Sequence, residues 1–416
     1  MTEFFNVLPP DEARALLLRH IRPLPADTPV ATTDALGRVT ASDVLAPHPL
    51  PTFRRSTMDG YAVRARDTHG ASESLPAFLT VIGEVGMGRA ADVVLKVGEA
   101  AVVHTGGMIP DSADAVVQIE HTQGVTSDAA AFPHEIEVLR AVAAGQNVIQ
   151  VGEDVALGVA VLPSGHRLRP QDLGGLLALG LTTVRVARRP RVAILATGDE
   201  VVPPQVSPGP GQIRDINSYT VAGQVRAAGG VPVLGGIIGD DFPALQAAAA
   251  AALAESDMVV MSAGSSVSVR DMTVEVIDGL GKPGVLLHGV ATRPGKPTIV
   301  GAVDGKPVLG LPGNPVSAMI QFDMFGVPAI YRLQGLSGAP PRNRVWARLG
   351  MNVPSESGRE DYVPARLEES GDGLIAVPVF GKSNLIHTLV GADGLIKVPL
   401  NLGGLLADDL VEVFLF

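Results

Sequence analysis

The chain has no cysteine among its 416 residues. Disulfide frameworks, thiolate metal sites and thiol nucleophiles are thereby excluded together. Aromatic residues make up only 4%, with a single tryptophan, so the cores must be built from Val, Leu, Ile and Ala. Basic residues are outnumbered: 32 Lys and Arg stand against 43 Asp and Glu, a formal net charge of −11. That balance argues against nucleic-acid or membrane-surface partners. It also sets a local condition. An anionic ligand must be met by a few clustered cations and backbone N–H groups that overcome the general field. The longest uncharged stretch, around "FPALQAAAAAALAE", falls well short of the roughly 20 residues of a membrane span. The start, "MTEFFNVLPPDEARALLLRH", lacks a basic segment followed by an apolar one, so no signal peptide is read and a cytoplasmic location is expected.

What the chain does have is apolar residues (46%), 48 glycines and 33 prolines. The length implies two to four domains. Gly and Pro well above the usual total of about 12% imply many tight connections. From about 190 to 331 strand and helix patterns alternate: "RVAILAT", "SYTVAGQVRAAGG", "VPVLGGII", "FPALQAAAAAALAE" with Asp240 and Asp241 before it as caps, "DMVVMSAG", "MTVEVIDGLG", "PVLGL" and "PVSAMIQFDMFGVPAIYRL". Such alternation predicts an α/β layer fold on a mainly parallel sheet. Ligands in such folds sit beyond the C-terminal strand ends. The loops there read "TGDE", "GDD", "SAGSSVSVRD" and "LPGNP". The expected organisation is a discontinuous N-terminal α+β domain (1–48 and 140–188), a small inserted β domain (49–139), the α/β domain (189–335) and a C-terminal domain of short strands resembling a small barrel (340–416).

Each loop admits a structural and a functional reading. In "LPGNP", Asn314 suits a helix N-cap and Pro315 the first helical position. Pro312 and Gly313 before them permit close backbone approach by an anion. Gly264, Ser265 and Ser266 suit a phosphate nest, and Asp271 beyond them reads equally as a cap for the next helix. Asp199 and Glu200 at a strand end can hold Mg²⁺ or be solvated loop carboxylates, and Asp240–Asp241 likewise. Arg293 and Lys296 in "RPGKP" form a plausible oxyanion clamp. Asp59-Gly60 signals a tight turn. His104 and His288 border these segments. The phosphate-loop, dinucleotide-fold, HExxH and GxSxG signatures are missing.

Nine stretches in order, "PTFRRSTMDGYAV", "HTGGMIPDSADAVVQIE", "VGEDVALG", "ATGDEV", "GQIRDINSYTV", "SAGSSVSVRDMT", "RPGKPTIVG", "LPGNPVSA" and "GREDYVPARL", resemble the molybdopterin molybdenumtransferase family, the MoeA proteins related to the C-terminal part of gephyrin. The resemblance spans the whole chain. It implies an elongated homodimer with a composite active site and an α/β domain like the molybdopterin-binding adenylyltransferases. The implied reaction inserts molybdenum from molybdate into adenylylated molybdopterin, releasing AMP, with Mg²⁺. Tungstate insertion and a non-enzymatic cofactor-binding scaffold are the alternatives, and the molybdopterin adenylyltransferase is a candidate partner.

Residue roles carried over by the resemblance are as follows. Glu200 is the important acid, with Asp59, Asp240 and Asp271 in the catalytic set. Asp199, Glu200, Asp240 and Asp271 are the metal candidates. Thr105, Asp154, Thr197, Gly198, Gly264, Ser265, Ser266, Pro312, Gly313, Asn314 and Pro315 are expected to bind substrate. Arg293, Lys296, Arg359 and Ser383 are expected at the oxyanion.

Overall fold

The computed structural model describes residues 7–25, 27–125, 133–263, 267–336, 338, 340–371 and 373–416; the side chains of 263–271 lie outside that description. The chain divides into two compact units. The larger comprises the N-terminal residues to 42 together with 164–169 and 183–416; the smaller comprises 43–163 and 170–182.

Within the larger unit, alternating apolar strands and helices build a six-stranded sheet. In chain order its elements are β1 (Arg191–Thr197), α1 (Asn217–Ala227), β2 (Val231–Ile238), α2 (Phe242–Glu255), β3 (Met258–Ala263), α3 (Val267–Leu280) and β4 (Pro283–His288). After the two-residue strand β5 (Thr292–Arg293) come β6 (Ile299–Val303), β7 (Lys306–Pro312), α4 (Pro315–Gln321) and α5 (Val327–Leu333). The sheet order is β2-β1-β3-β7-β6-β4. β2, β1, β3 and β7 are parallel, and β6 runs antiparallel to both neighbours.

Side chains alternate along each strand, so one sheet serves two cores. Val192, Ile194, Met258 and Val260 pack with α1, α4, α5 and the N-terminal helix Pro10–Arg19. Ala193, Leu195, Val259 and Met261 pack with α2 and α3. The result is a three-layer α/β arrangement, as the strand–helix alternation implied.

Four local expectations change. Asp241 alone caps α2, accepting from the Ala244 N–H at 2.8 Å; Asp240 lies one residue outside the cap. The backbone of α3 begins at Val267, which puts Asp271 inside the helix and removes its capping role. Asn314 occupies the N-cap of α4 without a side-chain cap bond. The expected single closing helix is α4, a π-helical turn Phe322–Gly326, and α5. Pro328 supplies the reason: it has no N–H to give and its ring would clash in a continuous α-ladder.

The C-terminal strands are β8 (Arg344–Leu349), β9 (Glu360–Ser370), β10 (Gly373–Pro378), β11 (Gly394–Val398) and β12 (Leu410–Leu415). They pair in the order β9-β10-β8-β12-β11, and β11 returns to β9. This closed barrel is filled by Ala347, Leu349, Ala365, Ala376, Ile396 and Val413. β5 adds to it in parallel beside β9, pairing Thr292 with Glu360 and Arg293 with Asp361.

The smaller unit holds a second six-stranded sheet, ordered Ala115–Gln118, Gly60–Val63, Glu99–Val103, Ala77–Glu84, Glu135–Val138 and Thr122–Val125. Its core is small and β-branched, built on Val63, Val102, Val117, Ile136 and Val138. Among the described residues no helix is long and apolar enough to cross a membrane.

Phe322 is fully buried where the π-helical turn meets the sheet. Phe322→Ala is expected to destabilise the larger unit by about 3–5 kcal/mol, the usual cost of deleting a core ring. A urea-denaturation series on the full chain measures it.

Candidate active site

The four parallel strands deliver their following loops to one sheet edge. At the end of β1, Thr197 is buried and its hydroxyl donates to the Ser262 carbonyl at 3.1 Å. Gly198 takes φ +131°. A Cβ there would lie 2.5 Å from Oε2 of Glu200, so only glycine lets that carboxylate fold back over the loop. Asp199 Oδ1 accepts the Asp240 N–H at 3.1 Å, joining the β1 and β2 loops. Burial, then the charges of Asp199 and Glu200, hold the Asp240 carboxyl above its usual range. Among the described residues none of these three acids has a cation within ion-pair distance.

Asn217, at the start of α1, ties the next two loops together. Its Nδ2 donates to Ser262 Oγ at 2.9 Å and to the Gly313 carbonyl at 2.8 Å. The Asn314 side chain points to the barrel instead of its own helix, and its Nδ2 donates to Ser383 Oγ at 2.9 Å. Ser383 in turn accepts the Val316 N–H through its carbonyl at 3.1 Å. One of the first N–H groups of α4 is therefore already satisfied.

Beside this edge, where the α/β sheet meets the barrel, opens a cavity of about 750 Å³. Arg293, Lys296, Pro312, Asn314, Arg359 and Ser383 all line it, and so does Lys382. Among its described lining residues four cations face one carboxylate, Asp361. Asp361 is almost fully buried and contacts both arginines, Arg359 Nε at 3.0 Å and Arg293 Nη1 at 3.7 Å. Glu360 beside it is held by Lys397 at 2.6 Å and by the Tyr362 hydroxyl at 2.6 Å. Burial, then the bond to Glu360, pushes the Tyr362 phenol far up, so it stays a donor. A second cavity of about 540 Å³, between α1, α4 and the barrel, is lined by Ile320, Leu389, Leu395 and Phe414 and contains none of the expected site residues.

In the smaller unit Asp59 Oδ1 accepts the Thr105 N–H at 2.8 Å. His104 hydrogen-bonds Glu84 through Nε2 at 2.6 Å, with Nδ1 4.0 Å from Asp59. Asp154 is exposed in the same unit, its N–H donating to the Leu50 carbonyl. Gly264, Ser265 and Ser266 lie outside the described residues, as does the Asp271 side chain. Pro315 is buried at the first turn of α4.

Comparison with known proteins assigns this arrangement. Residues 8–180 match the MoeA N-terminal region (domains I and II), 193–332 a probable molybdopterin-binding domain, and 346–416 the MoeA C-terminal region (domain IV). Molybdopterin molybdenumtransferase 2 of Mycobacterium tuberculosis is 34% identical over 405 residues, covering 96% of this chain and 94% of that protein. The chain belongs to the molybdopterin molybdenumtransferase family. The molybdopterin molybdenumtransferase of Bacillus subtilis is 33% identical, covering 93% of this chain and 89% of its own. Among solved structures, the molybdopterin biosynthesis MoeA protein of Pyrococcus horikoshii OT3 superposes with a TM-score of 0.83 at 32% identity, over 99% of this chain and 100% of that one. These are transferases of molybdenum cofactor biosynthesis, and both the α/β domain and the terminal barrel are parts of that family fold.

Three residues of this molybdenumtransferase's sheet edge and cavity escaped the sequence reading: Asn217, Asp361 and Lys382. The first two stand inside motif stretches and the third beside Ser383. What hid Asn217 and Asp361 is that their partners, Gly313 and Arg293, are distant in sequence; Lys382 joins the cavity through the fold of the C-terminal region.

Asp240 binds its proton more readily in the folded state than in the unfolded chain, so its ionised form costs stability at neutral pH. That cost disappears below the ordinary carboxylate pKa of about 3.9. Asp240→Asn is expected to raise the thermal midpoint of the metal-free protein at neutral pH and to leave it unchanged in acid. Thermal melts across pH check the sign.

Proposed function

We propose that this chain inserts molybdenum from molybdate into adenylylated molybdopterin, releasing AMP, in a Mg²⁺-dependent step. The observation that carries this reading is the cationic cavity of a −11 protein, opening beside loops of a molybdopterin-binding domain. Arg293, Lys296 and Arg359 supply charge, and the Ser383 hydroxyl supplies a hydrogen bond, for a tetrahedral oxyanion. The planar forks of the arginines fix direction as well as charge. The dithiolene sulfurs that receive the metal belong to the pterin, so a chain without cysteine lacks nothing the transfer needs.

The β1, β3 and β7 loops form the pterin end. Thr197, Gly198, Pro312, Gly313 and Asn314 line the approach, with Gly264, Ser265 and Ser266 as the proposed phosphate loop. The acids at the edge are the cleavage end. The phosphoanhydride between the pterin phosphate and AMP is broken with addition of water, and Glu200, half-buried and folded over Gly198, holds a carboxylate where that water must be oriented.

A divalent cation at these acids is part of the reading. Asp199, Glu200 and Asp240 repel one another without a compensating cation, and all donors are oxygen. Among the described residues no three His, Asp or Glu side chains could hold a metal by themselves. An ion carried by these carboxylates, with Asp271 completing the set, would take its other ligands from water and substrate phosphates, as Mg²⁺ does. It would supply charge neutralisation at the phosphates.

Asp59, Thr105 and Asp154 complete this reading as groups from a partner copy in a homodimer. The four-part domain division (1–48 with 140–188, 49–139, 189–335, 340–416), a cytoplasmic location and hand-over from a molybdopterin adenylyltransferase belong to the same proposal.

The purified chain supplied with molybdate, Mg²⁺ and adenylylated molybdopterin is expected to release AMP and yield active cofactor. Bound substrate without AMP release refutes the reading, and a non-enzymatic cofactor-binding scaffold would behave in that way. Tungstate added in competition reads out which oxyanion is preferred. Glu200→Gln is expected to lower turnover by about 100-fold or more while changing pterin affinity little. Unchanged turnover removes Glu200 from the mechanism.

A further inference from the structure

One buried carboxylate sits between the two guanidiniums that line the cavity. Parallel pairing of β5 with β9 sets Arg293 opposite Asp361, so the fold itself fixes the contact. Asp361 has 4% side-chain exposure, against 62% for Arg293 and 27% for Arg359. Its two oxygens divide the work, Oδ1 to Arg359 Nε and Oδ2 toward Arg293 Nη1. Its neighbour Glu360 is satisfied by Lys397 and Tyr362, leaving Asp361 to the arginines.

The backbone around Arg293 is secured from the other side. Gln321 is fully buried, and its Nε2 donates to Thr292 Oγ1 at 3.0 Å and to the Pro294 carbonyl at 2.9 Å. Gly295, at φ +105°, makes room for it: a Cβ there would lie 2.4 Å from Gln321 Cγ. Main chain and side chain of Arg293 are thus held by different buried groups.

Two guanidiniums aimed at one small cavity repel each other. A carboxylate between them offsets that repulsion and draws Arg293 Nη1 toward it across 3.7 Å. It orients Arg359 through a charge-assisted hydrogen bond, beside the exposed Glu356 that pairs with Arg359 Nη1 at 2.9 Å. It also cancels one positive charge, which by charge alone would weaken anion binding. A group that lowers the attracting charge and is still buried at the site has its value in geometry.

We propose that Asp361 is a positioning residue for oxyanion recognition, setting the spacing and direction of Arg293 and Arg359 toward a tetrahedral dianion. This rests on reading the cavity as the oxyanion subsite. The two ideas are separable because Asp361→Asn makes the cavity more positive. Charge alone predicts tighter molybdate binding, and positioning predicts weaker.

The test is equilibrium binding of molybdate to the full chain, with turnover measured in parallel. Asp361→Asn is expected to weaken molybdate binding about tenfold and to raise its KM while kcat changes much less. Asp361→Glu keeps the charge and displaces the carboxylate by one methylene; a loss of a few-fold is expected, with poorer discrimination against sulfate. Molybdate binding as tight as wild type or tighter in Asp361→Asn, with an unchanged circular dichroism spectrum, overturns the proposal. If that variant does not fold, unchanged binding in Asp361→Glu overturns it instead. Wild-type binding that Arg359→Ala does not diminish overturns the oxyanion reading and this inference with it, a result distinct from an indifferent Asp361 variant.

Discussion

Parallel pairing of β2, β1, β3 and β7 is the constraint on which the rest of the site depends. A parallel pair needs a crossover through a helix, so every strand in the series ends at the same edge and every following loop begins there. The acids after β1 and β2 and the Pro-Gly-Asn-Pro turn after β7 come to the same edge for that reason. Asn217 converts the neighbourhood into a fixed geometry. It sits at the first position of α1 and bonds the ends of β3 and β7 at once.

Charge is separated along that edge. Asp199, Glu200 and Asp240 form an anionic patch that no cation among the described residues pairs with, whereas Arg293, Lys296, Arg359 and Lys382 gather around the adjoining cavity. In an acidic chain the second arrangement is the costly one, since cations must be held together against mutual repulsion while the general field favours dispersing them among acids. Asp361 and Gln321 provide the local means. Both are buried, and both contact the Arg293 segment.

Much of the fold was legible from periodicity. The runs "RVAILAT" and "DMVVMSAG" are apolar on both faces because β1 and β3 are covered on both sides, and α2 between them carries its own cap, Asp241. The loops were legible as a set for the same reason: topology alone sends them to one edge. Details decided by tertiary contact were not. Asn314 has the chemistry of an N-cap, yet its amide finds Ser383, a residue 69 positions away. Asp240 and Asp241 look interchangeable, but only one meets the Ala244 N–H. Asp361 reads as one more charge in a strand until β5 is laid beside β9. The family resemblance brought the cavity residues into view one by one; their convergence on a single carboxylate is a property of the folded chain.

The cavity is assembled where the α/β sheet and the barrel meet. The α/β part supplies Lys296, Pro312 and Asn314, and the barrel sheet with its added strand β5 and its connections supplies Arg293, Arg359, Asp361 and Ser383. Among the described residues they are joined by β5 beside β9, Asn314 to Ser383, the Val316 N–H to the Ser383 carbonyl, and Leu389 and Leu395 packed into the α/β core. A few hydrogen bonds are a small contribution to the stability of either core, but they set the distance between guanidiniums carried by different elements. The buried carboxylate Asp361 lies on the seam where the two meet.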